Sequence, residues 1–359
     1  MTQQLETRTD LTPNLDAAST VFAQFVGGIS TTSKLVALHD SDADGVTAGV
    51  VWQQAFQRAG FIAPTRVIPD RERNAWTASN RDRVKAENPD RLFVLDLGSQ
   101  AEPVLVGVPT CFIDHHHPEG VPPGDTLISA YTWDPVPNTS LLVWDLCQAI
   151  ADISDLDWIA AIGIVSDLGD RAPFELLSTA KRKYTAKYLK EATALINAIR
   201  RASHYNPEAA AQALLTHSNP KELMNSTSET VEELRSARAE VKQAMEVGRK
   251  AAPIFAGNVA LIQVNSPCQI HPLLAQSWRT RLPKYIVIVA NSGYLPGRVN
   301  FSARSASANV LEFLRAQQIS EGEGNYGHGH DQASGGSLPK ERWQELLSKI
   351  GFPIEAIVP

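Results

Sequence analysis

The chain has 359 residues, of which 43% are hydrophobic, so it can bury a large core and we expect two domains. It lacks a run of about 18 apolar residues, and its first residues are polar and acidic. We therefore expect neither a membrane span nor a secretory signal, and predict a soluble, cytoplasmic protein. A net charge of -6 argues against a general basic surface that coats nucleic acid. Three widely separated cysteines predict neither a disulfide framework nor a cysteine zinc site.

Short apolar segments alternate with helices in the first half of the chain. The predicted strands cover residues 34–38, 66–68, 92–95 and 110–113. The predicted helices cover residues 46–60, 140–150 and 156–165, the second capped by Asn138 or Thr139 and the third by Asp155. This alternation predicts a doubly wound parallel sheet that is buried on both faces.

Acidic and imidazole side chains stand where these elements end. They are Asp40, Asp42, Asp44, Asp96, Asp114, His115, His116 and Asp167. One such aspartate is more often a turn former or a helix cap than a ligand, but four motifs with the same placement argue for a shared site. In such sheets ligands bind at the carboxyl ends of the strands. Imidazole and carboxylate are ligands of Mn, Fe, Co and Zn, and so many carboxylates around one cavity favour two divalent ions.

The second half of the chain shows a different pattern. A long, charged helix is predicted over residues 229–252. The later predicted strands cover residues 259–264, 285–290 and 298–303, and the later predicted helices cover residues 272–280, 308–317 and 339–350. The glycine-rich segment 327–336 is predicted as a loop between the last two helices, where glycines allow backbone N–H groups to approach a phosphate.

Two groups of motifs resemble those of a known family, the DHH phosphoesterases that carry a C-terminal DHHA1 domain. The first group comprises residues 40–45 (DSDADG), Asp96, residues 114–116 (DHH) and Asp167, in that order. The second is residues 327–336 (GHGHDQASGG), which is similar to the DHHA1 signature of glycines, one histidine and small residues. The resemblance spans nearly the whole chain. It is strongest to RecJ-like single-strand exonucleases and to the smaller oligonucleotide-degrading nanoRNases.

The resemblance implies an α/β architecture in three parts. Residues 1–225 would form a doubly wound, parallel-sheet DHH domain that binds metal and carries the catalytic residues. Residues 226–252 would form a helical linker. Residues 253–359 would form a smaller α/β DHHA1 domain that binds the substrate.

The resemblance also implies roles for single residues. The implied metal ligands are Asp42, Asp44, Asp96, His115 and Asp167, with His39 as a further candidate, although the family's usual histidine aligns with Leu38. The implied catalytic residues are His116, Asp114 and Asp40. The implied substrate-binding residues are Arg304, Ser305, His330, Gly329, Gly335, Gly336 and Arg298. His117 has no role in the family, and we expect it to be exposed.

The implied function is that of a metal-dependent phosphodiesterase or exonuclease. Two Mn2+ ions, with Mg2+ or Co2+ as alternatives, would activate a water that hydrolyses single-stranded or short oligonucleotides to mononucleotides. Tyr326 and Trp278 are candidates for base stacking, with core packing as the stronger expectation for Trp278. No membrane partner is expected, and a homodimer stays open.

Three alternatives stay open at this point. A hydrolase of the same family could act on small phosphates such as 3'-phosphoadenosine 5'-phosphate (pAp), pyrophosphate or a cyclic dinucleotide, with the same metal site. A relative could bind nucleic acid without catalysis, although intact acids at all four motifs argue against that. The metal could also be structural, which a water-accessible rim with surplus oxygen ligands disfavours.

Overall fold

The computed structural model of the chain describes residues 12–319 and 325–353, and at residues 325 and 328–330 it describes the backbone alone. The chain divides into two compact units. Unit 1 comprises residues 12–200 and 206–235, and unit 2 comprises residues 201–205 and the described residues from 236 onward. None of the described helices combines the length and apolarity that crossing a membrane requires.

Unit 1 is built on a five-stranded sheet in which neighbouring strands are parallel. Its strands are β1 (Leu35–His39), β2 (Thr65–Val67), β3 (Arg91–Leu95), β4 (Thr110–Asp114) and β5 (Thr126–Ser129). They lie in the order β2-β1-β3-β4-β5. The residues of β1 and β4 are all buried, because these apolar strands are covered on both faces. The parallel sheet that the sequence predicts is confirmed.

Helices cover the sheet of unit 1. They are α1 (Leu15–Val26), α2 (Ala43–Arg58), α3 (Ala78–Ala86), α4 (Thr139–Cys147), α5 (Asp157–Asp167), α6 (Glu175–Tyr184), α7 (Ala186–Ile196), α8 (Pro207–Thr216) and α9 (Pro220–Asn225). Helix α2 packs against both α4 and α5. Its Trp52 and Phe56 rings pack on Phe93 of β3, with ring centroids 5.2 and 5.4 Å away. This aromatic packing fixes α2, and so its first turn, against the sheet.

Unit 2 is built on a six-stranded sheet in the order β10-β11-β9-β8-β7-β6. The strands are β6 (Ile254–Ala256), β7 (Val259–Val264), β8 (Ile286–Asn291), β9 (Arg298–Arg304), β10 (Asn325–His330) and β11 (Ala333–Pro339). Strands β7 and β8 are parallel, and the other neighbours are antiparallel. The helices are α10 (Glu229–Gly248), α11 (His271–Arg281), α12 (Val310–Arg315) and α13 (Lys340–Ile350), of which α10 begins in unit 1. The predicted α/β class is confirmed.

The glycine-rich segment 327–336 is not a loop, as the sequence predicts, but lies mostly in the hairpin of β10 and β11. Gly335 pairs with His328 on one side and with Ser302 of β9 on the other. The loop prediction is wrong because glycine in a strand here marks a close approach of backbones rather than a break in the sheet.

Three smaller predictions are also wrong. Helix α2 begins at Ala43 rather than at residue 46, since the Asp42 side chain caps it. Asp155 does not cap a helix but forms a salt bridge with Arg58, 2.5 Å from Nη1. The Tyr326 ring is buried against Phe301 and its hydroxyl donates to a backbone carbonyl, so it belongs to the core and not to a base-stacking surface.

Candidate metal centre

The carboxyl ends of β1, β3 and β4 lie side by side at one rim of the unit 1 sheet. Their register pairs His39 with Leu95 and Leu95 with Ile113, so all three strands end at the same level. The residues after these strands therefore come together, joined by the first turn of α2 and the last residue of α5. The rim carries Asp40, Asp42, Asp44, Asp96, Asp114, His115, His116 and Asp167.

The imidazole of His115 lies among three carboxylates. Its Nε2 atom is 3.5 Å from Asp96 Oδ1, 3.6 Å from Asp167 Oδ2 and 3.8 Å from Asp44 Oδ2. His115, Asp44 and Asp96 are buried, whereas the Asp167 side chain is 40% exposed. One nitrogen and three carboxylate oxygens thus converge at a point that solvent reaches on the Asp167 side.

Three overlapping groups of potential metal ligands occur among the residues that the structure describes. They are Asp96 with His115 and His116, Asp44 with His115 and Asp167, and Asp40 with Asp42 and Asp96. Within each group, one ligand atom from each residue lies within 4.8 Å of the others. Because Asp96 and His115 each belong to two groups, the arrangement suits neighbouring divalent ions that share ligands.

The carboxylate of Asp44 is fixed by the start of helix α4. Asn138 Nδ2 and the Ser140 backbone N–H donate to Oδ1 at 2.7 Å each, and the Thr139 backbone N–H donates to Oδ2 at 3.1 Å. Burial, with the charges of Asp96 and Asp167, nevertheless raises the pKa of Asp44 well above its usual value. The helix start orients this carboxylate but leaves it short of positive charge.

Asp96 stands in a similar environment. Its backbone φ of +64° lies in the left-handed region that aspartate tolerates better than most residues, and Thr139 Oγ1 donates to its Oδ1 at 3.0 Å. Burial raises the pKa of Asp96 to about 7, against the lowering effect of its contact with His115. Buried carboxylates with raised pKa values, beside an imidazole nitrogen, are a donor set that a divalent cation such as Mn2+ fits.

Asp114 holds His116 rather than facing solvent. Its Oδ1 lies 2.7 Å from His116 Nδ1 and accepts from the His116 backbone N–H at 2.6 Å, while Oδ2 accepts from the Gly98 N–H at 2.7 Å. Burial works against the charged imidazole, but Asp114 and Asp96 outweigh it and raise the pKa of His116 to about 10. The His116 side chain is 39% exposed, so a charged ring with a fixed orientation stands at the edge of the cluster.

Arg73 is a member of this site that the sequence analysis missed. Its Nε donates to Asp40 Oδ1 at 2.6 Å, and its Nη2 contacts Asp40 Oδ2 and donates to Asp42 Oδ2 at 3.0 Å. Arg200 Nη2 lies 3.6 Å from the same Asp42 oxygen. Asp40 and Asp42 are therefore partly neutralised, unlike Asp44. Arg73 follows strand β2, so the strand-end argument could have found it had it been applied to cations.

His39 lies apart from the three ligand groups. Its Nδ1 is 2.7 Å from the Asp40 backbone oxygen, and its ring packs on α2, where a Cβ at Gly49 would lie only 2.2 Å from His39 Cδ2. Burial, with the charge of Arg66, lowers the pKa of His39 to about 3. His39, the last residue of β1, is thus neutral and its ring is buried against α2.

In unit 2, Arg304 ends strand β9. Its Nη1 donates to the backbone oxygens of Ala303 and Ser334 at 3.0 and 3.2 Å. Burial and the nearby charge of Arg279 lower the pKa of Arg304 to about 10. Across residues 12–319 and 325–353, no carboxylate forms a salt bridge with Arg304. A half-buried guanidinium beside a second cation suits an anionic ligand.

The other predicted substrate contacts of unit 2 have local partners. The Ser305 hydroxyl accepts from the Ser307 and Ala308 backbone N–H groups at 3.3 and 3.1 Å, and so shapes the turn before α12. Arg298 donates to Ser337 Oγ at 2.8 Å and to Ser337 O at 2.7 Å. Gly335 and Gly336 lie in β11 beside β9. His330 and Gly329 lie in β10, and their predicted contacts fall outside the described residues.

Solved structures with the same fold include two RecJ proteins and a DHH domain. RecJ of Thermus thermophilus in complex with Mn2+ has a TM-score of 0.66 and 18% identity, over 93% of this chain and 54% of that chain. An exonuclease RecJ bound to manganese has a TM-score of 0.61 and 20% identity, over 95% and 97%. The DHH domain of a member of a ribosomal-protein family has a TM-score of 0.66 and 15% identity, over 93% and 88%.

These likenesses are structural, since no protein-family model and no curated protein matches the sequence. The chain spans about half the length of the Thermus RecJ. The shared fold covers both units, as the two groups of sequence motifs predict. The chain therefore has the fold of the DHH/DHHA1 phosphoesterases.

Proposed function

We propose that this chain is a metal-dependent phosphodiesterase that hydrolyses short single-stranded oligonucleotides to mononucleotides, with the action of an exonuclease. The observation that carries this proposal is the convergence of Asp44, Asp96 and Asp167 on His115 Nε2. Buried carboxylates without matching positive charge are costly, and a hydrolytic metal pair offsets that cost.

The residues that would hold two divalent ions are Asp42, Asp44, Asp96, His115 and Asp167. Mixed imidazole and carboxylate ligands favour Mn2+, with Mg2+ or Co2+ as alternatives. When bound, such ions supply a water of lowered pKa and positive charge for the phosphoryl oxygens. His39 is a weaker candidate ligand, because its ring is packed on helix α2.

The chain's own residues would orient the metal-binding carboxylates and protonate the leaving oxygen. The start of α4 fixes the oxygens of Asp44, and Thr139 fixes Asp96, so neither carboxylate must reorganise when substrate binds. We assign to His116 the protonation of the leaving oxygen, since Asp114 holds its ring at the exposed edge of the cluster. Asp40, held by Arg73, would position the first turn of α2.

We assign to unit 2 the binding of a substrate phosphate. Arg304 leads this assignment, because no described carboxylate pairs with it. Ser305, Gly335, Gly336, Gly329 and His330 would add backbone and side-chain donors. Arg298 is the weakest candidate, since its guanidinium already bonds Ser337. A net charge of -6 favours short substrates, because long strands usually need a basic track.

A substrate panel tests the proposal. A time course with Mn2+ on end-labelled DNA and RNA of two to about thirty nucleotides, with pAp and a cyclic dinucleotide alongside, should show preference for the shortest strands. Asp96→Asn should lower the hydrolytic activity by more than about 100-fold, because removal of a group that only hydrogen-bonds a metal ligand already costs up to about 100-fold. Asp145→Asn, an acid of α4 outside the rim, is the matched control and should keep full activity.

Other outcomes would redirect the assignment. Turnover of pAp or the cyclic dinucleotide alone would make the chain a small-phosphate hydrolase with the same metal site. Absence of turnover of every substrate would favour a nucleic-acid-binding protein without catalysis. An Asp96→Asn variant as active as the Asp145→Asn control would contradict the metal site itself.

A further inference from the structure

An exposed aromatic pair stands beside the candidate metal centre. The rings of His117 and Tyr131 have centroids 4.9 Å apart and planes at 78°, an edge-to-face arrangement. Both residues are exposed, and 40% of Tyr131 is accessible. The edge-to-face contact holds the exposed Tyr131 ring in one orientation.

The fold ties this pair to the rim. His117 directly follows His116, so their Cα atoms are about 3.8 Å apart across one peptide. Strand β5 pairs with β4 through Asp114 and Ser129, and the Ala130 N–H donates to the Asp114 carbonyl at 2.9 Å. Tyr131 therefore leaves the sheet at the same edge as the ligand groups.

The segment that carries Tyr131 is anchored on both sides. The Tyr131 N–H donates to Ser129 Oγ at 3.3 Å, and the Trp133 N–H donates to the Ala130 carbonyl at 3.0 Å. Trp133 Nε1 also donates to the Thr12 carbonyl at 2.6 Å. These bonds fix the turn after β5, so the ring is a rigid surface whose ordering costs little on binding.

Other aromatic side chains suit base stacking less well. Of the large hydrophobic side chains that are exposed in the described part of the chain, the aromatic ones are Tyr131 and Phe255. Phe255 lies in unit 2, where its ring packs on Tyr285 at 5.0 Å. Trp278, a candidate from the sequence, has the Arg281 guanidinium 5.1 Å from its ring centre. Tyr131 is left as the exposed ring at the rim.

We propose that His117 and Tyr131 form a stacking surface for the nucleobase attached to the phosphate at the metal centre. This inference rests on the proposed function and adds a specificity determinant to it. A ring face accepts any base, so the pair would favour nucleotides over pyrophosphate without selecting a sequence. Loss of the Tyr131 ring should weaken binding of a base-bearing substrate by about 10-fold.

Binding of a dinucleotide that carries 2-aminopurine tests the pair without turnover. With Ca2+ in place of Mn2+, calorimetry gives the affinity, and quenching of the 2-aminopurine emission reports stacking. Tyr131→Ala should weaken binding about 10-fold and remove most of the quenching, while Tyr131→Phe keeps both. A dinucleotide lacking the base should bind wild type and Tyr131→Ala alike. Phe255→Ala, which also removes an exposed ring, is the matched control and should bind as wild type does.

The outcomes separate this inference from the proposed function. If no substrate of the panel is hydrolysed, the proposed function fails while the fluorescence titration still reads the base contact. Unchanged quenching in Tyr131→Ala overturns the stacking surface even in an active enzyme. Equal weakening of the base-bearing and base-lacking dinucleotides, or no binding of either to wild type, also overturns it.

Discussion

The two sheets of this chain handle charge in different ways. At the rim of the unit 1 sheet, carboxylates from one strand end and two helices meet around His115, and burial raises the pKa of Asp44 and Asp96. In the unit 2 sheet, Arg304 and Arg298 lie along β9 and donate to oxygen atoms of β11. One region concentrates negative charge, and the other uses positive charge within the sheet itself.

The difference follows from strand direction. In a parallel sheet every strand ends at the same edge, so residues distant in sequence collect there. In the antiparallel β9–β11 region, neighbouring strands end at opposite edges of the sheet. A ligand there would be contacted by side chains and backbone groups along the strands rather than by residues at their ends. A Cβ at Gly335 would lie 2.4 Å from the Phe301 oxygen, which shows how closely these strands run. Under the proposed function, unit 1 would supply the chemistry and unit 2 the positioning.

The largest expected effect concerns metal binding at the rim. Mn2+ at about one hundred times its Kd should stabilise the wild-type chain by about 2.7 kcal/mol, since an ion that binds only the folded state adds its binding free energy. Asp44→Asn should abolish this gain. Differential scanning fluorimetry with and without Mn2+ measures it directly.

Two further variants keep that test sharp. Asp167→Asn changes a partly exposed candidate ligand without disturbing buried hydrogen bonds, and should reduce the Mn2+ shift in a chain that still folds. Asp145→Asn should show the full wild-type shift. A Mn2+ shift that survives both Asp44→Asn and Asp167→Asn would mean that the rim is not the metal site.

The next effect separates two arginines of one strand. Arg304→Gln should raise KM for a short oligonucleotide by about 10- to 100-fold with little change in kcat, because a charge-assisted contact to a remote phosphate is lost. Arg298→Gln should leave KM unchanged. It should instead lower the free energy of unfolding by about 1 kcal/mol, since Arg298 bonds Ser337.

Steady-state kinetics and urea unfolding of both variants decide between these roles. If Arg298→Gln raises KM as much as Arg304→Gln does, the guanidinium of Arg298 must leave Ser337 for the substrate. If Arg304→Gln changes stability alone, the region has no phosphate contact at this residue.

The rim could be predicted from the sequence because its signals are local. Each group of acids stands at or near the end of an apolar run, and the change from apolar to polar residues indicates where that element ends. The contacts of Asn138 and Thr139 could not be found in the same way, since their bonds to Asp44 and Asp96 join residues 94 and 43 positions apart. Only the folded chain brings those donors to the acids.

The hairpin of unit 2 shows the opposite failure. Glycines in residues 327–336 predict a loop by their local preference, yet Gly335 lies within a strand because the neighbouring strand leaves no room for a side chain. The His39 ring is likewise placed by its packing on α2, and not by its proximity to the acids along the chain. Tertiary crowding, rather than local propensity, decides both positions.

A last prediction tests whether burial alone can raise an acid's pKa outside the rim. Burial in helix α4 raises the pKa of Asp145 to about 6, from a usual value near 4 in the unfolded chain. The folded state therefore binds the proton more tightly, and stability contributed by this group is lost as pH rises from about 4 to 6. Asp145→Asn should be more stable than wild type by about 2 kcal/mol at pH 7 to 8, and the difference should vanish below about pH 4. Urea unfolding across this pH range measures it. A constant difference in stability at every pH would show that the amide of Asp145→Asn acts through packing and not through the lost charge. Burial would then not explain the raised pKa values of Asp44 and Asp96 either.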